Sequence, residues 1–207
     1  MQTRQAKRLN TLRDVHAFIE EHIDRLPRVA QSDKRRQLAA VIEDLSACAT
    51  AQVASDLGAR GATQKQQVLL RTLERDHMAP IARIARATVG TTVELMPLKL
   101  TRGKPGARRL ATAAHGMARA AEPFAETFIA YGLPPDFIAR LDNAAVELLE
   151  ATAERTLHRG RRAQATKGLK DGLQKGRKIV DIFDAFVQTA TRQDDPALFA
   201  AWRIIKR

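Results

Sequence analysis

Strand formers and aromatic residues are scarce in this chain. Only 4% of its 207 residues are aromatic, with one tryptophan, Trp202, and one tyrosine, Tyr131. Sheets are built from β-branched and aromatic side chains. No run alternates apolar and polar residues long enough to form one, so sheet-based architectures are excluded. Cysteine is nearly absent: Cys48 stands alone. That excludes an intramolecular disulfide and a cysteine-based zinc site, and it suits a reducing cytoplasm, the location expected here. No segment approaches 18 consecutive apolar residues, so no transmembrane span is expected. The start, Met1 to Asn10, is polar and basic with no apolar stretch behind it, which is not the pattern of a secretory signal.

What is present favours helix. Ala, Leu, Arg, Gln, Glu and Lys dominate, and these are the strong helix formers. The chain is 44% hydrophobic, much of it alanine, which buries little area per residue. Its formal charge is +12, from 35 basic and 23 acidic residues. Such a surface attracts polyanions: nucleic acid, anionic lipid or an acidic protein. The same composition is also what high-GC bacterial genomes tend to encode.

Apolar spacing predicts the helices. Leu12, Val15, Ile19, Ile23 and Leu26 recur at three- and four-residue intervals from Thr11 to Leu26. Pro27 then disfavours helix in the residue before it. Ser32 offers an N-cap for a second helix, Asp33 to about Leu57, with Leu38, Val41, Ile42, Leu45, Cys48, Ala49 and Val53 inward. Gly58 is placed to stop it, and Gly61 marks a turn. A third helix is expected from Thr63, kinked or briefly broken at Pro80. Gly90 to Gly106 holds two prolines and no helical period, and reads as a long loop. A fourth helix spans about Ala107 to Tyr131, kinked at Pro123 and ended by Gly132. The next opens at Pro134 and Pro135. Past Gly160 the apolar stripe resumes with an offset of roughly a third of a turn, counting about 100° per residue. Either the helix breaks near Gly160 or it continues among new neighbours; a break is the reading adopted. A short amphipathic tail follows Pro196. The expected architecture is all-α: an up-and-down bundle of five to six helices with a four-helix core and extensions, forming one domain over residues 1–207.

Four phrases carry a likeness: Ile81-Ala-Arg-Ile-Ala-Arg86, Gly132-Leu-Pro-Pro-Asp-Phe137, Gly176-Arg-Lys-Ile-Val180 and Asp195-Pro-Ala-Leu-Phe-Ala-Ala-Trp202. Together they resemble a family of bacterial all-helical proteins of about this length to which no function is attached. The resemblance implies a helical bundle and transfers no catalytic or binding residue.

Catalytic constellations are missing. Glu74 and His77 give one Glu-x-x-His pair, whereas a di-iron bundle needs two such pairs and two further glutamates. His16, His22, His77, His115 and His158 include no His-x-x-x-His pair for zinc. Ser32, Ser46 and Ser55 are the only serines, and none sits in a Gly-x-Ser-x-Gly elbow. Cys48 lies on an apolar stripe, where cysteine is a small hydrophobe. The sequence therefore predicts no enzyme, no metal and no cofactor.

The binding candidates are basic. Arg155 to Lys178 contains nine basic residues and one acid, Asp171, while Asp136 to Glu154 contains five acids against Arg140. On a continuous helix Arg155, Arg159, Arg162, Lys170 and Arg177 fall within about 80° of one another. They are the candidate polyanion stripe. Lys99, Arg102, Lys104, Arg108 and Arg109 form a candidate anion-binding loop leading into a helix N-terminus. Gly172 and Gly176 share the stripe of Leu169, Val180 and Phe183. They are a candidate close-packing face, with a flexible segment as the alternative. The expected function is that of a non-enzymatic interaction protein, self-association included. The alternative is a basic nucleic-acid-associated protein with little sequence specificity.

Overall fold

The computed structural model describes residues 3–88, 93–100, 103 and 105–206 of the chain. Among these residues there is no strand, and the protein is an all-α bundle. Eight α-helices follow one another: α1 (Thr3–Glu21), α2 (Pro27–Ala30), α3 (Lys34–Thr72), α4 (Ala79–Thr88), α5 (Ala107–Ala121), α6 (Ala125–Ala130), α7 (Phe137–Thr191) and α8 (Pro196–Ile205). No helix among the described residues is long and apolar enough to cross a membrane.

Several boundaries differ from the sequence reading. α1 ends at Glu21, and a 3-10 turn, Ile23–Arg25, leads to Leu26, whose extended φ of −125° accommodates the ring of Pro27. Ser32 does cap: its Oγ accepts from the Lys34 amide at 3.1 Å. α3 then passes through Gly58 and Gly61 without stopping. A glycine ends a helix by taking a left-handed conformation. Neither of these two does, whereas Gly132, with φ of 96°, does end α6. There the Leu133 and Gly132 amides reach back to the carbonyls of Phe128 and Ile129. Gly58 has a different use. A β-carbon on it would lie 2.5 Å from the His158 ring, so its bareness lets α3 and α7 approach.

Proline shapes the helix path twice more. Before Pro80 the chain widens into a π-helical stretch, Leu73–Met78. The proline ring would clash with a carbonyl four residues back, and the wider turn relieves this. Pro123 sits in a 3-10 turn, Glu122–Phe124, between α5 and α6. The segment read as a loop from 90 to 106 contains a 3-10 helix, Val93–Leu98, and Leu98 is buried.

The expected break near Gly160 is absent. α7 runs unbroken from Phe137 to Thr191. Its apolar stripe changes face because its neighbours change. Leu141, Ala145 and Leu148 enter one core, and Leu169, Leu173, Val180, Phe183 and Val187 enter another. A β-carbon on Gly160 would meet nothing within 4 Å, so its presence there neither breaks the helix nor admits a neighbour.

The residues group into two compact units. The terminal unit comprises Met1–Asp56 and Gly160–Arg207, and the central unit comprises Leu57–Arg159. In the terminal unit, Val15 and Ile19 of α1, Leu38 and Leu45 of α3, Leu169 and Phe183 of α7 and Trp202 of α8 share one core. Each fully buried side chain of this size contributes roughly 1.5–3 kcal/mol. In the central unit, Leu73, Met78 and Ile81 meet Leu110, Ala114 and Met117 of α5, Phe128 of α6 and Leu141 of α7.

Candidate functional site

In the terminal unit bare glycines of α7 face side chains of α1 and α3. A β-carbon on Gly176 would lie 2.5 Å from Leu12 Cδ1, and one on Gly172 would lie 2.8 Å from Leu45 Cδ2 of α3. Farther up, Gly168 faces Cys48 Sγ at 2.8 Å in the same way. The glycine stripe thus seats α7 against α1 and α3 of its own chain. Within the unbroken α7 these glycines face Cys48, Leu45 and Leu12 of neighbouring helices.

Beside this contact lies a groove of about 680 Å³ between α1 and α7. Leu12, Leu173 and Val180 form its aliphatic floor. Arg8 from α1 and Lys170, Arg177 and Lys178 from α7 line it, with Gln5, Thr11 and Gln174 between them. No carboxylate is among these residues. Two acids adjoin these residues in sequence: Asp171, exposed beside Lys170, and Asp181, which pairs with Arg177 Nε at 3.1 Å. Lys170 and Arg177 stand seven residues apart, about 10 Å along the helix. The groove therefore offers cations at more than one point along its length. It suits an elongated anion better than a single phosphate.

The candidate stripe on α7 divides by its partners. Arg155 is half-buried, and its Nη1 donates to Gln66 Oε1 at 2.9 Å. Gln66 in turn donates to Thr152 Oγ1 at 2.8 Å, so Arg155 belongs to a structural ladder in the central unit. Arg162 pairs with Asp56 at 2.9 Å in the terminal unit. Arg159 and Lys170 are exposed. The structure thus brings Lys170 and Arg177 to the groove and occupies Arg155 and Arg162 elsewhere. Arg8 and Lys178 stand in basic runs of the sequence but outside the candidate stripe. Arg8 reaches the site only because α1 packs on α7, and no local pattern signals that.

The other candidates are less assembled. Arg108 and Arg109 are exposed on the first turn of α5. Lys99 is exposed and lies near Met96, with Nζ 3.2 Å from the sulfur. Arg102 and Lys104 lie outside the described residues. Glu74 and His77 fall on the π-helical stretch, where the wider turn changes the face that an i, i+3 pair would share. Among the described residues no group of three or more His, Cys, Asp and Glu could hold a metal ion. His115 is paired with Asp142 at 2.8 Å, His16 lies 3.6 Å from Glu20, and the ring of His22 stands edge-on to Phe18.

A second polar cluster closes the terminal unit. Asp184 accepts from Trp202 Nε1 and from Gln188, both within α7 and α8, and it pairs with Lys206. Asp195 caps α8 by accepting from the Leu198 amide at 3.1 Å and pairs with Arg25. These contacts dock α8, and none of their residues lines the groove. No family model matches this chain, and neither does any curated protein or solved structure.

Proposed function

We propose that this chain is a non-enzymatic helical-bundle interaction protein that grips an acidic partner in the groove between α1 and α7. The observation that carries this is the lining: four cations, no carboxylate and an aliphatic floor. An amphipathic helix with acidic edges has the matching chemistry, because its carboxylates meet Arg8, Lys170, Arg177 and Lys178 while its apolar side chains enter the groove above Leu12, Leu173 and Val180. No aromatic ring lines the groove, so a nucleic-acid base finds nothing to stack on. The second reading is association with nucleic acid through phosphates alone, with little sequence preference. The exposed Arg159 and Lys170 on α7 favour it.

Fluorescence anisotropy separates the two. The probes are a labelled acidic amphipathic helical peptide, a labelled duplex and a labelled single strand. Each is titrated with the wild type and with the combined Arg8→Gln, Lys170→Gln, Arg177→Gln and Lys178→Gln variant. Peptide binding that is lost in the variant is the expected result. Duplex or single-strand binding that is tighter than peptide binding, tolerant of sequence and steep in salt moves the protein to the second reading. No binding to any probe at low salt rejects both.

A further inference from the structure

We infer that the acidic partner of the groove is a second copy of this chain, which presents the face of its own α7 between Val146 and Leu157. This rests on the groove being a binding site for an acidic, partly apolar helix. Three aliphatic residues of that segment are exposed where most of their kind are buried: Val146 at 45%, Leu149 at 37% and Leu157 at 53%. They fall within about 80° of one another on the helix, counting 100° per residue. The adjoining edge carries Glu147, Glu150 and Glu154, all exposed. Glu154 is shared with Lys65 at 3.6 Å. The segment thus has an apolar stripe bordered by carboxylates, and the groove has an apolar floor bordered by cations.

The spacing agrees as well. Glu147 and Glu154 stand seven residues apart, as do Lys170 and Arg177, and seven residues rise about 10 Å in either helix. In one register Glu147 and Glu154 stand opposite Lys170 and Arg177, the latter also paired with Asp181 of its own helix, while Val146, Leu149 and Leu157 lie over the floor. The acidic face and the basic wall of the groove belong to the same unbroken helix, α7. A helix cannot turn back onto itself, so the face that fills the groove comes from another molecule. The charge division of α7, acidic before Glu154 and basic after it, makes the contact self-complementary between copies.

The test is sedimentation equilibrium of the nuclease-treated full chain over a range of concentrations. One variant carries Lys170→Glu with Arg177→Glu, and the other carries Glu147→Lys with Glu154→Lys. All four residues are exposed, and circular dichroism melting checks that each variant folds. A third variant, Leu157→Gln, tests the apolar stripe without altering charge. The wild type is expected to self-associate, and each variant to do so at least about tenfold more weakly. Mixing the two charge-reversed variants should restore association. The inference is overturned if the mixture stays monomeric, if Leu157→Gln associates like wild type, or if association disappears on nuclease treatment. A wild type that is monomeric yet binds the acidic peptide overturns the inference alone. One that neither associates nor binds the peptide overturns the groove reading too.

Discussion

Trp202 donates its indole N–H to Asp184 Oδ1 at 2.8 Å, tying α8 to α7 across the edge of the terminal core. Burial pushes the Asp184 carboxyl up. Hydrogen bonds from Lys206, Trp202 and Gln188, with the Lys206 charge, outweigh that and hold it below the ordinary aspartate value. A carboxyl lowered by folding stabilises the native state in full above its unfolded pKa of about 3.9, and the contribution fades as pH falls through the lowered folded value. Thermal melts followed by circular dichroism should therefore show Tm falling below about pH 4. Asp184→Asn should melt lower at neutral pH and show less of that acid fall.

The same contact can be cut from its other end. Trp202→Phe keeps an aromatic ring near Phe18, whose centroid lies 5.6 Å away, but removes the donor. Urea unfolding should show a loss of about 1.5–3 kcal/mol, the usual range for a hydrogen bond to a charged group. In combination with Asp184→Asn the two losses should be less than additive, because they remove one interaction.

Glycine-to-alanine changes on α7 should differ in sign along one helix. Gly160→Ala adds a methyl group into open space and removes a helix penalty of up to about 1 kcal/mol, so it should raise Tm. Gly172→Ala and Gly176→Ala instead place methyl groups against Leu45 and Leu12, both buried. The clash should exceed the propensity gain and lower stability by about 1–3 kcal/mol for each site. If both core variants melt higher than wild type, the packing account of this face is wrong.

Two basic residues of α7 should separate stability from binding. Arg155→Gln breaks the bond to Gln66 and should lower Tm while leaving anion binding almost unchanged. Lys170→Gln lies at the groove and should weaken anion binding with little effect on Tm.

The helical class was legible because composition and period agree. Val15 and Ile19, or Leu38 and Leu45, sit on stripes that any helical wheel exposes, and they are buried as the spacing implies. Gly58 and Gly61 misled because a stop signal is only a local preference. At Gly58 the packing of α3 against His158 overrides it, and at neither glycine does the required positive φ arise. At Gly160 the offset between stripes was real, but it records a change of neighbours and not an end. The groove was half legible. Lys170 and Arg177 belong to a visible basic run, whereas Arg8 lies 162 residues before Lys170 and joins it only through the tertiary fold.

The wide turn before Pro80 has a consequence for how this chain tolerates changes in length. Leu73 and Met78 are five residues apart, and both are fully buried in the central core. On a regular α-helix they would point about 140° apart. The π-helical stretch absorbs one residue, so the helix before it and the helix after it keep a common inward side. Elsewhere in α3 or α4, deleting one residue rotates everything downstream by about 100° and turns the core face toward solvent. Within Leu73–Met78 the same deletion, paired with Pro80→Ala, leaves an ordinary helix in the original register. A chain one residue shorter is therefore still compatible with this fold at that place.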